Sequence, residues 1–131
     1  MAVLSEPLGR NPASTYLKAA AVYARQSEHG IYKMGAVIVG KHWFVFGFNK
    51  NRTHPKAKNY TRKIHAELAA ILQAARTWGT WDTDMYVVRI TNSGAMATSK
   101  PCKDCWILLK EAGIRSVTFI DKDGKICTEK L

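Results

Sequence analysis

Acidic residues are scarce: 10 Asp and Glu stand against 20 Lys and Arg, a formal net charge of +10 at pH 7. That excess argues against a cationic partner and suits a polyanion or a phosphate-bearing substrate, although solubility alone also accounts for it. Cysteine is scarce too. Three cysteines do not make a disulfide framework, so the reducing cytoplasm is the expected setting. No apolar run approaches the ~18 residues of a membrane span. Residues Met1–Arg10 lack the basic start and long apolar centre of a secretory signal. Repeats, linkers and low-complexity tracts are missing as well. With 47% hydrophobic residues in a chain of 131, the reading left is one domain over residues 1–131 with a sizeable core.

The chemistry concentrates in Ser99–Ile107, Ser-Lys-Pro-Cys-Lys-Asp-Cys-Trp-Ile. Proline fits a first helical turn, so Pro101 reads as a helix start. Cys102 and Cys105 then share a face about one turn apart, at the positive end of the helix dipole, which favours thiolates. Two thiolates so placed make two corners of a tetrahedral zinc site, and a third corner must come from elsewhere. His65-Ala66-Glu67 is the evident donor. It follows a basic, polar stretch and opens an apolar-periodic run of Leu68, Ala69, Ile71, Leu72, Ala75 and Trp78. Near a helix tip both His65 and Glu67 reach the space just beyond the end, the histidine on a metal and the glutamate free to move protons.

His-x-Glu, a gap of 36 residues, then Pro-Cys-x-x-Cys resembles the signature of the zinc-dependent cytidine and deoxycytidylate deaminase superfamily. The resemblance spans roughly residues 35–120. It implies that His65, Cys102 and Cys105 bind Zn2+, that a water takes the fourth position, and that Glu67 shuttles protons. The residue types suit that chemistry. Attack on an aromatic amidine carbon needs hydroxide at neutral pH, and zinc brings the pKa of bound water from about 15.7 to about 7. At 1.36 kcal/mol per unit, that is about 12 kcal/mol of easier deprotonation. A neighbouring carboxylate then takes and returns the proton. Two readings compete: a redox cysteine pair, which leaves His65 and Glu67 unexplained, and a closed structural zinc site that recruits Cys127 as fourth ligand.

Along the chain, Asn11-Pro12 starts a helix running to about Ser27, with Tyr16, Leu17, Ala20, Ala21 and Ala24 buried. Residues 1–10 read as an irregular leader. Met34–Val39 and Trp43–Asn49 are strands. Phe44, Phe46 and Phe48 alternate with Trp43, Val45 and Gly47, so both faces of the second are expected to be covered. A helix spans about His65–Thr77 and ends at Gly79. Met85–Ile90 is a core strand. Thr91–Lys100 departs from the shorter family pattern, and its Asn-Ser-Gly predicts a hairpin-like excursion beside the site. A helix over Cys102–Ala112 stops at Gly113. Ser116–Ile120 follows, parallel to the previous strand through a helical crossover, and Lys125–Cys127 is a short last strand. These elements make a three-layer α/β/α sandwich on a mixed β-sheet, which is also the fold that the resemblance implies.

Substrate contacts are expected from Asn49, which matches the family asparagine that touches the nucleoside sugar, and from Arg52 and His54. The last two lie in the basic stretch Lys50–Lys63, which reads either as a solvated loop or as an electropositive mouth. His29 and His42 read as surface residues. The compact chain resembles small phage-type members, which favours a deaminase of a free cytosine nucleoside or nucleotide, deoxycytidylate or deoxycytidine foremost. An editor acting on single-stranded DNA or tRNA is the alternative. Tyr60, Trp106 and Phe48 would have to supply its stacking aromatics. A non-catalytic zinc-stabilised binding module is the third reading. Superfamily members assemble into dimers or larger rings, so a homo-oligomer stays open.

Overall fold

The computed structural model describes residues 3–7, 12–27, 33–49, 66–75 and 79–131. In chain order its elements are β1 (Val3–Pro7), α1 (Pro12–Ala24), β2 (Lys33–Val39), β3 (Phe44–Phe48), α2 (Ala66–Ala75), β4 (Asp84–Ile90), β5 (Met96–Ala97), α3 (Lys103–Glu111), β6 (Ser116–Ile120) and β7 (Lys125–Lys130). One mixed sheet runs β1-β7-β6-β4-β2-β3, with β5 added beside β4. The β4–β6 pair is parallel, in register from Asp84↔Ser116 to Tyr86↔Thr118. Its neighbours are antiparallel. No described helix is long and apolar enough to cross a membrane.

Strand alternation sorts the core into two layers. Met85 and Val87 of β4 pack with Leu68 and Ile71 of α2 and with Leu108 and Leu109 of α3. Val88 and Ile90 pack on the other face with Leu17, Ala20 and Ala21 of α1. The result is the expected α/β/α sandwich: α1 covers one face, and α2 and α3 cover the other. Leu17, Leu68, Met85 and Leu109 are fully buried, each contributing about 1.5–3 kcal/mol of apolar burial.

Several expectations need correction. The leader is a strand: β1 pairs antiparallel with β7 from Val3↔Glu129 to Pro7↔Lys125. Strand β7 runs on to Lys130 rather than stopping at Cys127, paired with β1 as far as Glu129 and with β6 to Lys130. Nothing local announces such a contact, because its partner lies at the far end of the sequence. Helix α1 ends at Ala24, short of Ser27. Strand β3 is not covered on both faces. It stands last in the strand order, where Phe44 is 54% exposed and Phe46 37%. The Phe46 ring stacks on Tyr23 of α1 at 3.6 Å between centroids.

The Thr91–Lys100 excursion is a hairpin, as its turn chemistry predicts. The Gly94 N–H donates to Thr91 O and the Thr91 N–H to Ala95 O, bringing Ile90 opposite Met96 and Arg89 opposite Ala97. Because β2 holds the other edge of β4, β5 takes the edge that β6 occupies lower down. Residues 96–97 therefore extend the sheet at the point where β6 leaves it.

Helix α2 sits unusually close to β3. A Cβ at Gly47 would collide with the backbone N of Ala70 and lie 2.7 Å from Ala69 C and 2.8 Å from Ala66 O. Glycine lets the two backbones touch. Gly47→Ala should therefore push α2 off the sheet and cost about 1–3 kcal/mol, the usual penalty of overpacking. Urea unfolding of the two proteins measures it, and an unchanged midpoint would show that the helix is not seated on this glycine.

Candidate active site

The parallel pair organises this end of the molecule. A parallel connection needs a crossover helix, and α3 begins beyond the carboxyl end of β4. Cys102 is its N-cap, with extended backbone, and its Sγ accepts the Cys105 N–H at 3.5 Å. Pro101 thus stands one residue ahead of the cap rather than in the first turn. The cap position suits a sulfur acceptor, since the first backbone N–H groups of a helix have no internal partner. At the other end Gly113, at φ +77°, donates its N–H to Lys110 O, and the Ile114 N–H reaches Leu109 O. The left-handed residue closes the helix where the sequence expects it.

Glu67 is the second residue of α2 and only 2% exposed. Its carboxylate interacts with the buried thiol of Cys105, which itself is hydrogen-bonded with Cys102. Those contacts push the Cys105 thiol far above its ordinary range. The hydrogen bond with Cys102 is the largest cause, followed by burial and then the charge of Glu67. The buried Cys105 thiol therefore stands between the exposed Cys102 sulfur and the buried Glu67 carboxylate, and both disfavour its ionised form. A divalent cation removes that conflict, and thiolates suit a soft one such as zinc. The donor set fits zinc.

Asn49 lies just past β3. Its Oδ1 accepts the Met34 N–H at 3.0 Å and the hydroxyl of Ser27, while its own N–H donates to Met34 O at 3.2 Å. Ser27 also donates to Asn49 O at 3.2 Å. These bonds fix the plane of the side-chain amide, with its oxygen turned to the protein. The side chain therefore ties the end of β3 to β2 and to Ser27, and any substrate contact has to coexist with that role.

His65, Arg52, His54 and the rest of Lys50–Lys63 lie outside the described residues. Among the described residues no group of three His, Cys, Asp or Glu side chains is placed to hold a metal ion, whether with Cys127 or without it. Cys127 sits in β7 opposite Phe119 and packs in the apolar layer beneath α2 and α3.

Two residues here escape sequence reasoning. Arg89 follows Met85 and Val87 on the face of β4 turned toward α2 and α3, with its Nε buried. Met34 stands between it and Asn49 in one row across the sheet. An arginine at an inward position of the run Met-Tyr-Val-Val-Arg-Ile was the available signal. Ser99 is the other. It is 1% exposed, and its hydroxyl donates to Val87 O at 2.8 Å and accepts the Ile120 N–H at 2.9 Å.

Residues 10–121 match the family model described as "Cytidine and deoxycytidylate deaminase zinc-binding region". No curated protein matches at a significant level. Among solved structures, the cytidine deaminase of Burkholderia pseudomallei superposes with a TM-score of 0.65 at 20% identity, covering 88% of this chain and 90% of that one. The dCMP deaminase of the cyanophage S-TIM5 gives 0.61 at 21% identity, covering 82% of each. The cytidine deaminase of Mycobacterium tuberculosis gives 0.59 at 18%, covering 83% and 84%. These likenesses extend over most of each chain and show a shared fold.

The hydrogen bonds of Asn49 set up a two-variant test. Asn49→Ala removes the acceptor of the Met34 N–H and the Ser27 hydroxyl, and should cost about 1–3 kcal/mol. Asn49→Asp keeps that acceptor and should stay near wild type in a thermal melt. Equal losses in the two variants would mean that the side-chain oxygen is not what holds this corner.

Proposed function

The chain belongs to the cytidine and deoxycytidylate deaminase family, and on that premise we propose that it is a zinc-dependent hydrolytic deaminase. In this reading it converts a free cytosine nucleotide, deoxycytidylate foremost, to the uracil product and ammonia. The observation that carries the reading is Glu67. A carboxylate 2% exposed, at the start of one helix and against the thiol of a cysteine in the first turn of another, is where a proton carrier of this reaction has to stand.

In this reading His65, Cys102 and Cys105 hold the zinc. When bound, the ion supplies a water of pKa near 7 at the reacting carbon. Glu67 takes a proton from the attacking water at its carboxylate and passes it to the ring nitrogen. It then carries the second proton to the departing amine, so that the C–N bond breaks and ammonia leaves. Asn49 contacts the sugar, with its orientation set by Ser27 and Met34. Arg52 and His54, from the basic stretch, contribute further substrate contacts.

Two features favour a phosphate-bearing monomer. Arg89 supplies a guanidinium on the site face of β4, a group whose fork matches phosphate. Trp106, which a polynucleotide editor would need for stacking, is already engaged: its ring packs against the core, with the Lys100 ammonium 5.8 Å from the centroid. The editor keeps one supporting feature, the +10 charge with its cluster at Lys50–Lys63.

The deciding experiment is ammonia release by zinc-loaded protein from cytidine, deoxycytidine, deoxycytidylate, guanine, a single-stranded oligodeoxynucleotide and tRNA. Deoxycytidylate should be turned over best. Turnover of the oligonucleotide or tRNA alone would make the protein an editor, and silence across the panel with zinc bound would make it a binding module. Glu67→Ala should keep zinc, by metal analysis, while the rate falls about 10²–10⁴-fold; near-native turnover would remove its proton-carrying role. Arg89→Met should lower kcat/KM for deoxycytidylate at least about tenfold and spare deoxycytidine. An equal loss on both substrates would assign Arg89 to the protein rather than to the phosphate.

A further inference from the structure

Ser99 occupies the point where three strands part. The β4–β6 ladder closes at Tyr86↔Thr118, and above it β5 takes over the edge of β4 at Arg89↔Ala97. Between these two pairings the main chain of β4 still offers Val87 O and that of β6 still offers the Ile120 N–H. A serine hydroxyl is one donor and one acceptor. Ser99 spends it on both, at 2.8 Å and 2.9 Å. Its own N–H adds a third bond, to Ile120 O at 3.0 Å. At 1% exposure no water competes for these bonds.

The next residues transmit this anchorage. Three residues on, at most ~11 Å of extended chain, Cys102 caps α3. Pro101 lies between them with its φ restricted by the ring. Lys100 is tied on one side, its ammonium 5.8 Å and 5.9 Å from the Trp106 and Phe119 ring centroids and 3.9 Å from the Glu129 carboxylate. We propose that Ser99 is the positioning residue of the metal centre. By joining Val87 to Ile120 it sets where Cys102 Sγ stands relative to Cys105 and Glu67. This inference rests on the reading of Cys102 as a metal ligand. The tolerance is small, since ligand distances hold to about ±0.2 Å, while a released Ser99 frees the strand-to-helix connection to shift by more.

Cobalt(II) loading tests it, because the visible bands of cobalt report the geometry of a thiolate site independently of turnover. Wild type, Ser99→Ala, Ser99→Thr and Val88→Ala are loaded at a temperature well below all four melting points. Val88 is a fully buried residue of the opposite layer and serves as a control for destabilisation alone. Ser99→Ala should change the band envelope and bind cobalt at least about tenfold more weakly in chelator competition, the usual effect of losing a group that orients a ligand. Ser99→Thr, which keeps the hydroxyl, should recover both, and Val88→Ala should melt lower with a wild-type spectrum. A wild-type spectrum and affinity in Ser99→Ala, with only a lower melting point, would overturn the inference and leave the metal centre standing. A change as large in Val88→Ala would overturn it too. Wild-type protein that takes up no cobalt would overturn the metal centre and the inference together.

Discussion

A single parallel strand pair sets the geometry on which the candidate site depends. β4 and β6 run the same way, so the chain between them has to cross over and start its helix where β4 finishes. That requirement puts the N-terminus of α3, with the positive end of its dipole, beyond the carboxyl edge of the strands. Antiparallel neighbours would have allowed a short turn and no helix end there. The pair is tied at both extremities. At its start Asp84 receives the Arg115 Nη2 at 2.6 Å and the Ser116 hydroxyl at 2.5 Å; at its finish stands Ser99. Of the two ties the second bears more on stability, because Arg115 is largely exposed and surface pairs contribute little.

A second helix end has to reach the same place, and here packing and electrostatics pull in opposite directions. Gly47 lets α2 sit against β3, which carries Glu67 down to a depth at which it is almost fully buried. Burial of a carboxylate beside a buried thiol is unfavourable for any charge placed there. The raised Cys105 thiol expresses that conflict. A fold seldom concentrates anion-forming groups in an apolar layer for stability alone, which is why perturbed ionisable groups cluster at functional sites.

Much of this was legible in the residues. Cys102, Cys105 and Glu67 could be placed because helix starts have local signatures: a proline, a run of apolar positions at the right spacing, a glycine at the far end. Gly113 and the Asn-Ser-Gly turn were readable for the same reason. What escaped was non-local. β1 exists only because β7 lies beside it, and no pattern within Val-Leu-Ser-Glu-Pro contains that fact. The exposure of Phe44 and Phe46 follows from the place of β3 in the strand order, whereas alternation by itself tells only which residues share a face. Ser99 escaped for a subtler reason. A serine ahead of a helix reads as a cap or a turn residue, yet this one serves two strands rather than the helix.

The ten residues between β4 and the Pro-Cys motif need not disturb the site, and the reason is geometric. An insertion at a strand end ordinarily adds loop, and a loop adds freedom at whatever it leads to. Here the added chain turns back, pairs with Arg89 and Ile90, and fills the sheet position that β6 gives up. Its exit at Ser99 is then bonded to both strands that flank it. The path into Cys102 starts from the sheet and not from the loop, because Ser99 is bonded to Val87 and Ile120 before the first sulfur is reached. The same construction leaves Arg89 with β2 on one side and β5 on the other. The hairpin thus supports β4 on its outer edge at Arg89 and Ile90.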